Sequence, residues 1–171
     1  MSDHTLGLTL AWQIAAHETA HAQHEFIEPE YLFIGLCKLE YFAAVRRLRR
    51  LELGESEIAS LKAEIESLLG LFSHFGLDPT TLRREMRQRK GSGALEMSDR
   101  PERVVHRSPQ SRQVFARAGE LARATDAPVM AVFHLLAALL DDPDGAIVPW
   151  LREKGVDVAA LKDAALAHLA A

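Results

Sequence analysis

Two stretches of the chain, 103 positions apart, share one pattern of small and apolar residues. Ala15–Leu36 reads AAHETAHAQHEFIEPEYLFIGL, and Ala118–Leu139 reads AGELARATDAPVMAVFHLLAAL. Each begins with small residues four positions apart, passes through a short break and an apolar residue, and ends in a compact apolar segment. A repeat of this kind constrains the fold more than any single motif, because one supersecondary unit must occur twice. The sequence therefore predicts a duplicated helical unit.

The second parts of the two copies also match, but at a shorter offset. Gly76–Leu82 corresponds to Gly155–Leu161, so the offset falls from 103 to 79, a difference of 24 residues. An insertion of that size in the first copy is the simplest explanation. We therefore predict a first repeat over residues 1–90 with an insertion near 38–64, a linker over 91–107 and a second repeat over 108–171.

The strong periodic signals along the chain are helical, and no segment alternates for long enough to predict a strand. Proline after a capping residue predicts helix starts at Pro29, Pro79 and Pro109. The fold class predicted is all-α: two four-helix repeats related by a pseudo-two-fold axis. Further helices are predicted over residues 10–24, 132–140 and 146–154 and from residue 158.

The insertion is predicted to be helical and to project from the body between the second and third helices of its repeat. It has two apolar stripes rather than the composition of a disordered loop. The first contains Phe42, Val45, Leu48 and Leu51, and the second contains Ile58, Leu61, Ile65, Leu68 and Phe72. These stripes must be buried against the body, against each other or against a partner, and we predict that they provide the partner-binding surface.

Charge and cysteine content restrict the function. A net charge of −4 and a pI near 6.1 give no electrostatic footprint for nucleic acid. The dense basic run Arg46, Arg47, Arg49 and Arg50 is interpreted as a solvated helix face. No apolar run is long enough to span a membrane. The single cysteine, Cys37, is compatible with a reducing compartment, and a cytoplasmic location is predicted.

His17-Glu18-Thr19-Ala20-His21 matches the zinc-protease pattern H-E-x-x-H, in which two histidines bind the metal and the glutamate polarises a water molecule. His24 is the nearest third ligand, on the same predicted helix. Small residues define the buried side of that helix, so the histidines are expected on its solvated face, and no metal or other cofactor is predicted. A small zinc hydrolase remains the alternative enzyme. The chain also lacks G-x4-G-K-[ST], so it has no site of that type for a nucleoside triphosphate.

The repeated pattern resembles the Clp N-terminal repeat, which occurs twice at the front of the Clp class of AAA+ unfoldases. The resemblance is carried by A-x3-A, a turn, the run Phe26-Ile27-Glu28-Pro29, and a later L-x3-G-[LV]-D before another helix. The FIEP run is most similar to the disaggregase (ClpB) branch. The resemblance implies a non-catalytic module that binds unfolded or aggregated polypeptide, or an adaptor protein, for an AAA+ ATPase in cis or in trans.

The resemblance also suggests where a partner would bind. In the ClpC branch, a glutamate that opens the second helix helps to bind phosphorylated arginine, and Glu30 and Tyr31 lie in that run here. The second copy has Val132, Phe133 and His134 at the matching positions and lacks the glutamate. Apolar residues there, together with Met130, are expected to line a groove. An interaction module without affinity for unfolded clients remains the other alternative.

Overall fold

The computed structural model describes residues 3–95 and 104–169, apart from the side chain of Val45. Nine α-helices, two 3-10 turns and two short strands lie in these ranges. The helices are α1 (Leu6–His21), α2 (Pro29–Lys38), α3 (Val45–Leu48), α4 (Glu55–His74), α5 (Pro79–Lys90), α6 (Pro109–Ala124), α7 (Val132–Leu139), α8 (Ile147–Glu153) and α9 (Val158–Ala167). The strands are β1 (Phe26–Ile27) and β2 (His106–Arg107). The all-α prediction is confirmed. The described helices are also each too short or too polar to cross a membrane.

The first helix pair of each repeat follows the 103-residue offset. Helices α1 and α6 have equivalent ends, and Thr5 and Ser108, which are equivalent, cap their first turns with side-chain oxygens. After each helix the chain reverses through a non-glycine residue with positive φ, Gln23 at 61° and Asp126 at 51°. Sequence reasoning placed the first helix at residues 10–24. It starts earlier because Thr5 supplies the cap, and it ends earlier because Gln23 leaves the helical region.

The second helix pair follows the offset of 79. Gly76 and Gly155 end α4 and α8 with φ of 66° and 79°, a conformation that glycine adopts without steric cost. Asp78 and Asp157 then cap α5 and α9 by accepting hydrogen bonds from backbone N–H groups three residues ahead. The two pseudo-symmetric four-helix repeats are thus confirmed element by element.

The repeats are joined by two short parallel backbone pairs. Strand β1 pairs with β2, which immediately precedes α6, and His4 forms a bridge with Met130 before α7. The offset of 103 relates one pair to the other. Sequence periodicity predicted neither pair, because two residues are too few to alternate.

The predicted linker over residues 91–107 is tied to the first repeat at both of its described ends. The N–H groups of Gly93 and Leu95 donate to the carbonyls of Ala22 and Gln23, at 2.8 and 3.2 Å. Residues 106–107 form β2. Residues 96–103 of the predicted linker lie outside the described residues.

The insertion lies against the body, so the prediction that it projects is wrong. Its first part is a 3-10 turn (Leu39–Phe42), the four-residue α3 and a second 3-10 turn (Arg49–Leu51), and its second part extends α4 to 20 residues, against 7 in α8. Leu48, Leu61 and Ile65 are at most 2% exposed and belong to the main core. The stripe residues Leu68 and Phe72 are buried as well, and Phe42, Leu51 and Ile58 are half-buried against the same core; the side chain of Val45 lies outside the described part of the chain.

Candidate functional site

Two aromatic side chains mark the pseudo-two-fold axis. Trp12 on α1 and Phe115 on α6 are equivalent by the offset of 103, and their ring centroids lie 5.8 Å apart. Equivalent residues that touch must lie beside the axis. The guanidinium of Arg107 covers both rings, at 5.1 Å from the Trp12 centroid and 4.6 Å from that of Phe115. The joint between the repeats is thus an aromatic contact with a cation across its face.

A groove of about 450 Å³ opens beside this joint, between α1 and the segment that leads into β2. Its walls are mainly apolar, with a few polar side chains among them. Val104 is 72% exposed, which is unusual for a large apolar side chain, and Trp12 is half-buried. We call this the axial groove; it is lined by Thr9, Trp12, Gln13, Ala16, His17, Ala20, Val104 and Val105.

The residues predicted to line a groove do not line the axial groove. Tyr31, Val132 and His134 are at most 1% exposed and Phe133 is 6% exposed, so these four side chains belong to the interior. Met130 is half-buried beside its bridge to His4. An apolar residue at a helix start has the same sequence signature in a core and in a groove.

Glu30 and Tyr31 each have a structural environment of their own. Glu30 forms an ion pair with Lys90 of α5, at 3.2 Å, so its carboxylate already has a cationic partner. The ring of Tyr31 packs against His24, and its buried hydroxyl has no hydrogen-bond partner among the described residues. Burial raises the pKa of Tyr31 to about 12, so the hydroxyl remains protonated.

His134 completes a hydrogen-bond network at the start of α7. The N–H of Ala131 donates to Nδ1 at 2.9 Å, which places the ring proton on Nε2, and Nε2–H donates to Oγ1 of Thr125 at 3.1 Å. The Thr125 hydroxyl in turn donates to the carbonyl of Leu121. Burial lowers the pKa of His134, so the neutral ring is the favoured form.

This network predicts that the domain loses stability on mild acidification. The pKa of His134 is lower in the folded chain than its ordinary value of 6.5, so unfolding takes up a proton below that pH. The contribution is fully present above pH 6.5 and is lost as the pH falls further. Urea titrations at pH 7.5 and 5.5 should show a larger loss for the wild type than for His134→Gln, whose amide oxygen can still accept from Ala131. Equal losses in both proteins would exclude His134 as the source.

The histidines and the glutamate of the H-E-x-x-H pattern lie in different environments in the structure. His17 and His21 are exposed and border a cavity of about 670 Å³. Glu18 is 7% exposed and accepts hydrogen bonds from Lys38 at 2.7 Å and from Arg87 at 2.6 and 2.8 Å. Burial alone would raise the pKa of Glu18, but the bonds from Arg87 and Lys38 lower it below its ordinary value. This carboxylate joins α1 to α2 and α5 and is not free to polarise a water molecule.

His24 does not complete a metal site. Its Nε2 lies 3.1 Å from the carbonyl oxygen of Gly91, which ends α5. Within residues 3–95 and 104–169, no three histidine, cysteine, aspartate or glutamate side chains are arranged to hold a metal ion. The histidines predicted as alternative ligands, His17, His21 and His24, are therefore not gathered around one point.

Solved structures with the same arrangement of helices identify the fold. The N-terminal domain of Hsp104 from Candida albicans superposes with a TM-score of 0.68 at 16% identity, over 96% of this chain and 90% of that one. The N-domain of ClpV from Vibrio cholerae gives a TM-score of 0.63 at 14% identity, over 96% and 86% of the two chains. For the N-terminal domain of the caseinolytic protease-associated chaperone ClpD from Arabidopsis thaliana, the TM-score is 0.56 at 16% identity, over 98% and 95%. The fold is that of the N-terminal domains of Clp-type proteins.

The sequence of the second repeat agrees with this class. Residues 106–171 match the family described as the Clp repeat (R) N-terminal domain. No curated protein matches the chain. The resemblance drawn from the repeated motifs is thus confirmed by a family match to one repeat and by the fold of both.

Proposed function

We propose that the chain is a non-catalytic recognition module of a Clp-type AAA+ chaperone or protease ATPase. In this proposal the axial groove binds extended apolar segments of unfolded polypeptide or of an adaptor. The observation that carries this proposal is the groove itself, an open and mainly apolar channel at the joint between the repeats. Its volume lies within the range of about 300–1,000 Å³ usual for ligand sites.

The composition of the groove suits an extended chain. Trp12 and Val104 offer apolar surface whose burial stabilises a complex by roughly 25 cal/mol per Å². Thr9, Gln13 and His17 also line the groove, and their hydroxyl, amide and imidazole groups can pair with the N–H and C=O groups of a peptide backbone. Such contacts recognise the apolar character of a client rather than a defined sequence. A module that binds many unfolded chains requires this kind of recognition.

The energy for unfolding would come from an AAA+ module in cis or in trans, since this sequence contains no G-x4-G-K-[ST]. A cytoplasmic location suits the single free cysteine. Burial raises the pKa of the Cys37 thiol, which keeps it protonated and unreactive.

Two other functions have weaker support. Phosphoarginine recognition through Glu30 would have to displace Lys90, and a zinc hydrolase would have to release Glu18 from its two cationic partners.

Negative charges placed in the groove should weaken client binding without unfolding the domain. We expect the double variant Val104→Glu and Ala16→Glu to bind a permanently unfolded protein, such as reduced and carboxymethylated α-lactalbumin, at least tenfold more weakly. An apolar segment would then have to desolvate two carboxylates. Isothermal titration calorimetry measures the affinities of the wild type and of the variant directly.

The double variant Ala59→Glu and Ser60→Glu provides the matched control, because it adds the same two negative charges. Ala59 and Ser60 are exposed on α4 and do not line the groove, so this variant should bind as the wild type does. All variants should keep the wild-type melting temperature within a few degrees. Unchanged affinity in the groove variant, with the fold intact, would refute the axial groove as the binding site.

A further inference from the structure

The insertion presents a concentrated positive surface on a chain that is negative overall. Arg46, Arg47, Arg49 and Arg50 occupy α3 and the 3-10 turn after it, and we call them the arginine surface. Arg46, Arg49 and Arg50 are exposed and make no ion pair or hydrogen bond with any residue in the described ranges. Three unpaired guanidinium groups therefore face solvent within five positions.

The arginine surface is held in place by its neighbours. Leu48, in the middle of the run, is 0% exposed and anchors α3 in the core. Arg47 lies over the ring of Tyr41 at 3.4 Å and donates to the Tyr41 carbonyl at 2.8 Å. Tyr41 itself is 45% exposed, so an aromatic face lies next to the free arginines. The positive groups are thus presented on an ordered turn, which reduces the entropy lost when a partner binds.

Folding alone does not account for this surface. Cations near the end of a short helix gain at most about 1 kcal/mol from the helix dipole, and like charges so close together repel each other. The second repeat makes the same connection, from α7 to α8, through residues 140–146 and without a comparable run. Leu48, with Phe42 and Leu51 beside it, packs the segment against the core, and the exposed arginines take no part in that burial.

We propose that the arginine surface binds an acidic segment of a partner protein, rich in aspartate and glutamate. The planar guanidinium group donates two parallel hydrogen bonds to one carboxylate, a geometry that lysine cannot reproduce. Tyr41 adds an apolar contact for a residue that flanks the acidic segment. This docking surface lies on the insertion and is separate from the axial groove.

Charge distribution favours an acidic polypeptide over nucleic acid. The whole chain carries −4, so without these four arginines the remainder carries −8. A nucleic acid that extended beyond the arginine surface would meet repulsion along its phosphate backbone, whereas a short acidic segment needs to contact only the arginines. Screening reduces the interaction at high salt, because the Debye length falls from about 10 Å at 0.1 M to about 3 Å at 1 M.

Fluorescence anisotropy with a labelled ten-residue polyglutamate peptide tests the proposal. We expect R46E/R49E/R50E to weaken binding at least tenfold and R46K/R49K/R50K to weaken it about threefold, since lysine keeps the charge but loses the paired hydrogen bonds. The matched control is R112E/R123E/R152E, which changes the net charge equally at three exposed arginines of the second repeat. It should retain wild-type affinity within twofold.

Three results would overturn the proposal: no binding of the peptide by the wild type, an equal loss in the control, or tighter binding of a ten-nucleotide oligo(dT) than of the peptide. The single variant R49E, which changes one exposed residue, serves if the triple variant does not fold. Failure here is distinguishable from failure of the proposed function, because the groove variant Val104→Glu and Ala16→Glu should bind polyglutamate like the wild type.

Discussion

Gly35→Ala is expected to destabilise the domain by roughly 3 kcal/mol, in the range reported for overpacked cores. Gly35 lies on α2 where it crosses α1. A Cβ atom there would stand 2.3 Å from the carbonyl oxygen of Ala11, 3.2 Å from its carbonyl carbon and 3.5 Å from Cβ of Ala15. The closest atoms are backbone, so no side chain can rotate away. The two helices would have to separate and thereby lose contacts in the core.

Gly70→Ala should stabilise the domain, which is the opposite of the effect expected for Gly35→Ala. Gly70 is on α4, and a Cβ atom there would meet no other atom within 4 Å. Alanine then gains only its helix propensity, which is worth about 1 kcal/mol over glycine. Denaturation of the two variants in urea separates steric from intrinsic effects, because the chemical change is the same. Destabilisation by both, or by neither, would contradict the close approach of α1 and α2.

Glu64→Ala should cost about 2–3 kcal/mol, as expected for a charge-assisted network that leaves backbone donors unpaired. One carboxylate oxygen of Glu64 accepts from the Thr5 hydroxyl at 2.7 Å and from the N–H of Val132 at 3.1 Å. The other accepts from the N–H of Gly7 at 3.1 Å. The side chain therefore caps the N-termini of α1 and α7 together, where a negative charge is also favoured by both helix dipoles.

Glu66→Ala is the matched control for this result. Glu66 lies on the same helix, its side chain is 57% exposed, and within the described residues its one ion pair is with Lys62, so its removal should change the unfolding free energy by less than about 0.5 kcal/mol. The unfolding free energy of Glu64→Gln should lie between those of Glu64→Ala and Glu66→Ala. Its amide keeps one acceptor but presents N–H groups toward Gly7. Equal stabilities of Glu64→Ala and Glu66→Ala would show that the capping of α1 and α7 by Glu64 does not contribute to stability.

The repeat could be read from the sequence because its capping residues and turns recur at fixed offsets. Ser108 and the Asp-capped helices act through local chemistry, and local chemistry is visible in sequence. The cap at Thr5 was not recognised, because no proline follows it, so the start of α1 was predicted too late. The packing of the insertion was not predictable, since a stripe such as Leu61 and Ile65 shows that a face is buried but not which surface covers it. The role of Glu64 depends on residues more than 50 positions away in either direction and has no local signature.

The axial groove was missed for a related reason. Val132 and Phe133, as apolar residues at a helix start, are predicted to line a groove, yet they fill the core. The useful signals were weaker: Trp12 beside polar neighbours on α1, and the pair Val104-Val105 within a polar stretch. Only the fold shows that these positions meet, because the segment before β2 returns to α1 across the axis.

The two backbone pairs between the repeats have a consequence for how the halves depend on each other. Each pair joins one segment from either repeat, Ile27 with Arg107 and Met130 with His4. Neither repeat can therefore form these backbone hydrogen bonds by itself. The chain is equivalent to a symmetric dimer whose subunits are covalently joined. The connection turns association into an intramolecular step, at effective concentrations of the order of millimolar. Completion of the fold is therefore independent of how dilute the protein is, which a pair of separate half-length chains could not achieve.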